Sequence, residues 1–300
     1  GSLAAAVSNG GGLGQVGSAG RSVENFEEEI LIAHELTDKP FGVNLPISEH
    51  KDNTPYIDVI SKHRDKIKAV SISSGNPIPF ISIFKEFGLK TLVLTAQVKH
   101  AVKAEANGAD VIICEGYEAG GHNGQAEMTT FALVPQVKQA VNIPVVAAGG
   151  ITNGTGMFSA ITFGAYGVQI GTRFVASIEC EAHDKYKEAL VNATDDATTI
   201  LTRRLGGAIR VIKNDFVTRT QQIDSEIDSV QDILPYARGF NNKKAAIDGE
   251  INQGWISAGQ GAGMIHDISS AEEIVKEIVN EANQKFNKFA GFQLEFLNKI

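Results

Sequence analysis

The stretch Glu115-Gly-Tyr-Glu-Ala-Gly-Gly-His-Asn-Gly124 holds the residue types in this chain best suited to chemistry. It follows Asp110-Val-Ile-Ile-Cys114, an apolar run that reads as a buried strand. A histidine on a glycine-rich loop straight off a strand end stands where parallel barrels keep their catalytic groups. Gly120 and Gly121 carry no Cβ, so the backbone there can pass close against a flat ligand. His122 then presents an imidazole able to take or give a proton near neutral pH. The competing reading is a glycine-rich turn with an incidental surface histidine.

Two further strand ends carry glycines: Val145-Val-Ala-Ala-Gly-Gly-Ile151 and, one βα unit later, Gly167-Val-Gln-Ile-Gly-Thr-Arg-Phe174. If these are the last two strands of a barrel, Gly149, Gly150, Gly171 and Thr172 lie side by side at its mouth. Barrels bind phosphate there through backbone N–H groups and the N-terminus of a short helix. Thr172 adds a hydroxyl, and Arg173 adds charge or anchors the loop. Gly12-Leu-Gly-Gln-Val-Gly17 fits the dinucleotide fingerprint in letters only. That motif needs a strand before it and a helix opening within it, whereas here a helix precedes and strand-like residues lie inside.

The elements that position these residues follow from periodicity. Short apolar runs at 13–16, 41–45, 69–73, 91–95, 111–114, 144–148 and 167–171 alternate with helix-prone segments. Several runs are apolar throughout, as strands are when both faces of a parallel sheet are covered. A TIM-type (β/α)8 barrel is expected, with an open doubly wound sheet as the rival. The first recognisable element is a helix at 3–8, so the strand that should precede it is expected to be missing through N-terminal truncation. The expected division is a barrel over 1–177, a helical insert without clear strands over 178–262, and a C-terminal helix over 263–300 that returns to the barrel. Ser270 and Glu273 suggest a capping box at that helix.

Composition narrows the class. The chain has 300 residues, 43% hydrophobic and 21% charged, enough apolar content for a core without disulfide staples. A net charge of -8 argues against nucleic acid as a partner, and no apolar run approaches the ~18 residues of a membrane span. Cys114 and Cys180 have neither disulfide nor zinc spacing and suit a reducing, cytoplasmic setting. His34, His50, His63, His100, His183 and His266 lack ligand spacing and are expected to be structural or exposed. Trp255 is expected in the insert, near the mouth.

These motifs together resemble the nitronate monooxygenase family and its relative, the flavin-dependent enoyl-acyl-carrier-protein reductase II. The resemblance runs through Lys39-Pro-Phe-Gly-Val-Asn44, Ser74-Gly-Asn-Pro77, Glu118-Ala-Gly-Gly-His122, Ala147-Ala-Gly-Gly-Ile151, Gln169-Ile-Gly-Thr-Arg-Phe174 and Ala258-Gly-Gln-Gly-Ala262. It implies an FMN-binding barrel in which Asn44 bonds the flavin ring and Gln97 supports it. Glu115 and Gly120 border the ring, and Gly149, Gly150, Gln169, Gly171 and Thr172 hold the phosphate. His122 falls on the family's catalytic position. The reaction implied is oxidation of alkyl nitronates by dioxygen, or reduction of an enoyl thioester with NAD(P)H as reductant. Glu115 leans toward the reductase branch, since many nitronate monooxygenases have Gln there. Arg203, Arg204, Arg210 and Lys213 form a basic cluster that would receive an acyl carrier protein or a nicotinamide phosphate, or else a solvated helix face. A homodimer is a further expected partner. Other classes remain open: an inactive flavin-binding homologue lacking the first strand, and a sugar-phosphate barrel without flavin.

Overall fold

The computed structural model describes residues 1–47, 52–205, 208–227 and 229–298; His50 and the Gly206-Gly207 pair lie outside them. The strands are β1 (Gln15–Gly17), β2 (Phe41–Pro46), β3 (Ile67–Ser73), β4 (Lys90–Thr95), β5 (Val111–Glu115), β6 (Gly121–Asn123), β7 (Val145–Ala148), β8 (Gly167–Gln169), β9 (Thr198–Leu201) and β10 (Ala208–Ile212). Seven of them form one sheet in the order β1-β2-β3-β4-β5-β7-β8, every pair parallel. The sheet curls until the side chains of its two edge strands approach, with Gln15 Nε2 3.5 Å from Gln169 Oε1. This is the TIM-type barrel architecture expected, and the strand count of the parallel sheet is the seven read from the runs.

The alternation of each strand builds two apolar layers. Val43, Leu45, Val70, Ile72, Val93, Ile112, Val145 and Ala147 face outward. They pack under the helices Val23–Leu36, Thr54–Lys62, Ile78–Glu86 and Thr130–Ala140 through Phe26, Ile30, Ile60, Phe84, Leu133 and Val137. Phe26 is fully buried, a contribution of roughly 1.5–3 kcal/mol. The inward layer is small: Ala69, Leu92, Ile113 and Ala148, joined by Leu94, Val111 and Val146. It forms a short apolar plug below the mouth.

The long helix Ala271–Asn298 lies across the outside, packed on the helices Gly154–Thr162 and Ser2–Asn9. Its start is a capping box: Glu273 N–H donates to Ser270 Oγ at 3.3 Å and Ser270 N–H donates to Glu273 Oε2 at 3.3 Å. Among the described residues, no helix is long and apolar enough to cross a membrane.

The segment 178–262 corrects the expectation of a strand-free insert. Besides helices it carries β9 and β10, which pair antiparallel with each other and add to β6. The β-branched content of Thr198-Thr-Ile-Leu201 and Ala208-Ile-Arg-Val-Ile212 supports this pairing. Each run is too short to stand out beside the long polar helices around it. Trp255 lies in the insert, as expected. It is 2% exposed in the insert's own core, its ring 6.3 Å from that of Phe216. It belongs to the same apolar cluster as Ile209, the β10 residue in register with His122.

Gly14 shows how tightly the first helix seats on the barrel. A Cβ at Gly14 would lie 1.8 Å from the carbonyl oxygen of Ala4. Gly14→Ala should therefore lower stability by about 1–3 kcal/mol or more, read as a shift in the urea unfolding midpoint.

Candidate active site

The loop from Glu115 to Gly124 is fixed by close packing at nearly every glycine. A Cβ on Gly116 would meet Thr130 Oγ1 at 2.1 Å, one on Gly124 would meet the Ala96 Cβ at 2.3 Å, and one on Gly120 would meet the Ala258 carbonyl carbon at 2.6 Å. Gly120 thus seats the loop against the returning segment of the insert. Gly121 differs: its φ is +80° and a Cβ there would meet nothing within 4 Å, so it turns the chain beside open space.

Glu118 is the loop's inner clamp. Its carboxylate accepts from Thr130 N–H at 2.9 and 3.0 Å and from the Thr130 hydroxyl at 3.2 Å. A negative charge at the N-terminus of the helix Thr130–Ala140 is favoured by that helix's dipole. The carbonyl of Glu118 accepts from Gln260 N–H at 2.9 Å, which ties the loop to the insert. Asn123 closes the turn from within, its Nδ2 donating to the Ala119 carbonyl at 2.9 Å.

His122 sits at the centre of β6, in register with Ile209 of β10. It is exposed and its ring makes no hydrogen bond among the described residues. The surrounding protein still disfavours the imidazolium and holds its pKa below the ordinary 6.5, so the ring is neutral at pH 7.

Arg210 braces this strand from behind. It is 4% exposed, donates from Nε to the Tyr117 carbonyl at 3.0 Å and stands 4.9 Å over the Tyr117 ring. Of the basic cluster read from sequence, Arg203 and Arg210 stand together over the Tyr117 ring, at 5.7 and 4.9 Å from its centroid. Arg203 pairs with Glu127 at 2.8 Å, Arg204 with Asp224 at 3.4 Å, and Lys213 with Asp196 at 3.4 Å.

Around the barrel rim, Asn44 on β2 donates from Nδ2 to Ser71 Oγ at 2.8 Å and to Ser73 Oγ at 3.4 Å. The two serines were missed in the sequence because hydroxyls in an apolar strand carry no spacing signal. Gln97 precedes the helix Val98–Ala106 without capping it, leaving its amide uncommitted among the described residues. Glu115 ends β5 and Gln169 ends β8. Burial pushes the Glu115 carboxyl up to about 7.

At the last two strands the glycines divide by role. A Cβ on Gly149 would lie 2.8 Å from the Gly116 carbonyl oxygen and one on Gly150 3.2 Å from the Glu118 Cβ, so this pair packs against the 115–124 loop. Gly17 and Gly171 have nothing within 4 Å of a Cβ and leave the mouth open. Thr172 Oγ1 accepts from Gly259 N–H at 3.0 Å. Arg173 is 6% exposed and bonds Asp267 at 2.9 Å, so it anchors the loop. The helix Gly154–Thr162 is already capped. Gly154 N–H donates to Glu281 at 2.8 Å and Gly156 N–H to Asn153 at 2.9 Å.

Beside these loops runs a cavity of about 380 Å³ between the helices Thr130–Ala140 and Gly154–Thr162, with Phe131 and Phe163 in its wall. Glu118, Gly149, Gly150 and Gln260 also line it, and His122 does not. Other titratable groups play local parts: His63 bonds Glu27 at 2.6 Å and His183 Nδ1 accepts from Lys185 N–H at 3.2 Å. Cys114 is buried with its thiol pushed up to about 12, and Cys180 is free and half-buried.

A curled parallel sheet, with open glycine turns and an imidazole that makes no hydrogen bond among the described residues, is the architecture of a barrel enzyme. The nitronate monooxygenase family profile matches residues 1–66 and 53–281, and the chain belongs to that family of oxidoreductases. The chain is 32% identical to a probable nitronate monooxygenase of Staphylococcus saprophyticus, over 95% of this chain and 92% of that one. Among solved structures it is similar to FabK from Thermotoga maritima, at 37% identity and a TM-score of 0.90 over 97% of this chain and 91% of that one. It is also similar to the nitroalkane oxidase of Streptomyces ansochromogenes, at 27% identity and a TM-score of 0.83 over 96% and 93%.

Two measurements check the site. The His122 imidazole should titrate below 6.5 by NMR, which keeps it unprotonated as pH falls to that point. Gly120→Ala should destabilise by about 1–3 kcal/mol through the Ala258 contact and should move the His122 resonances.

Proposed function

We propose that the protein is an FMN-dependent oxidoreductase that oxidises alkyl nitronates with dioxygen, with His122 as its catalytic residue. The observation that carries this reading is the accessible, neutral and unpartnered imidazole on β6. Such a ring donates through one nitrogen to a nitronate oxygen, or accepts through the other the proton α to a nitro group. The barrel over 1–177 is the flavin-binding body, 178–262 caps the mouth, and 263–300 braces the outside.

The residues present fit a flavin. Asn44, Gln97 and Gln169 offer amide donors and acceptors to a flat polar ring, bordered by Glu115 and by the loop that Gly120 seats. Gly171 and Thr172 hold the phosphate, open space at Gly171 allowing close approach, and the Gly149-Gly150 turn lends its backbone beside them. When bound, the flavin supplies the electron chemistry. The protein's own part is to orient the substrate anion, hold a proton at His122 and keep the loop in place through Glu118 and Arg210. A reducing, cytoplasmic setting fits the two free thiols.

A second reading, NAD(P)H-dependent reduction of an enoyl thioester, is favoured by Glu115, the residue by which the chain resembles the reductase branch. His122 then orients the thioester carbonyl or supplies a proton, and an acyl carrier protein belongs to this reading alone.

Anaerobic mixing separates the two. Rapid bleaching of the bound flavin by ethyl or propyl nitronate, without a nicotinamide, is expected. Bleaching by NAD(P)H together with turnover of crotonyl thioesters would establish the reductase instead. His122→Ala should lower kcat/KM for the nitronate by roughly 10²–10⁴-fold, with flavin absorbance retained.

A further inference from the structure

Glu115 occupies an unusual position for an ionisable side chain. Strand alternation puts it on the same face as Val111 and Ile113, which pack inside the barrel with Ala69, Leu92 and Ala148. Above that apolar plug, the other inward positions at the mouth are polar but uncharged: Gln15, Asn44, Ser71, Ser73 and Gln169. Glu115 alone in this ring can carry a charge, and its carboxyl has no hydrogen bond or ion pair among the described residues.

The neighbours supply no counter-charge. Across the sheet Glu115 lies in register with Ala148 of β7, and on the other side β4 ends at Thr95, in register with Cys114. On its own loop, Glu118 is committed to Thr130, the Tyr117 hydroxyl donates to Glu127 at 3.1 Å and accepts from Arg203 at 2.7 Å, and His122 is neutral. A carboxylate so placed is costly unless it holds its proton, and burial already pushes Glu115 up to about 7. The residue keeps some surface toward the mouth, so solvent still reaches it when the mouth is open. A planar, uncharged ring laid there removes that water and brings no positive charge.

We propose that Glu115 meets the flavin ring as a carboxylic acid, donating a hydrogen bond to a ring acceptor, so that flavin binding takes up a proton at this residue. The inference rests on the flavin reading above. Its sign is fixed by linkage. The bound state holds the proton to higher pH than the free state, so affinity is full below pH 7 and falls as pH rises through the free and then the bound titration. If binding raises the midpoint by one unit, uptake is about half a proton per flavin at pH 7.5, and Kd weakens by up to about tenfold toward pH 9.

Titration calorimetry of the apoprotein with FMN, in buffers of different ionisation enthalpy at pH 7.5, measures the uptake directly. The expected result is uptake near half a proton in the wild type and none in Glu115→Gln, whose affinity should be flat from pH 7 to 9. A carboxylic C=O band in the infrared difference between bound and free protein, lost in Glu115→Gln, reports the same proton without an activity assay. FMN binding by the wild type with no buffer-dependent heat and no such band would overturn the inference while leaving the flavin reading intact. Failure of the wild type to bind FMN would overturn both.

Discussion

Where the chain at Gly120 passes Ala258 and Gly259, two backbones approach so closely that no side-chain carbon fits between them. That contact couples three parts of the molecule that are far apart in sequence. Gln260 N–H reaches the Glu118 carbonyl, and Gly259 N–H reaches the Thr172 hydroxyl at the end of the sheet. β10 then extends the pairing to β6, so that His122 stands on a strand rather than on a free loop. A side chain placed by ladder hydrogen bonds has less freedom than one on a loop tip, which suits a group that must meet a substrate atom at hydrogen-bond distance. The insert is therefore part of the site's framework, not only its cover.

Carboxylates do much of the remaining positioning. Glu118 occupies the N-terminus of one outer helix and Glu281 that of the next. Both positions use the positive end of a helix, which is thereby closed to a ligand anion. Arg210 sets the opposite charge behind the loop, stacked on Tyr117 and short of a direct carboxylate partner.

The barrel was legible in the sequence because parallel strands covered on both faces leave nearly continuous apolar runs, as in Val111-Ile-Ile-Cys114 and Val145-Val-Ala-Ala148. The location of His122 was legible for the same reason, since it follows such a run by a short glycine-rich loop. The purpose of the glycines was not. Gly116, Gly120, Gly149 and Gly150 look alike in sequence to residues that make room for a ligand, yet their neighbours are other backbone segments and side chains of the protein. Such contacts depend on chain crossings between residues distant in sequence. β9 and β10 were missed on similar grounds: short strands declare themselves by their pairing, and their partner β6 is itself only three residues long.

The curl of the sheet has a consequence for solubility. Its two edge strands, β1 and β8, are three residues long and bring the amides of Gln15 and Gln169 together at 3.5 Å. An exposed edge is a template on which another molecule can add a strand, and the hazard grows with its length and flatness. Here each edge offers only a few peptide groups, bent toward the other, with polar amides between them. The geometry that gathers the ligand-binding loops at one end thus also gives the sheet little to offer a neighbouring chain, a protection against self-association into fibrils.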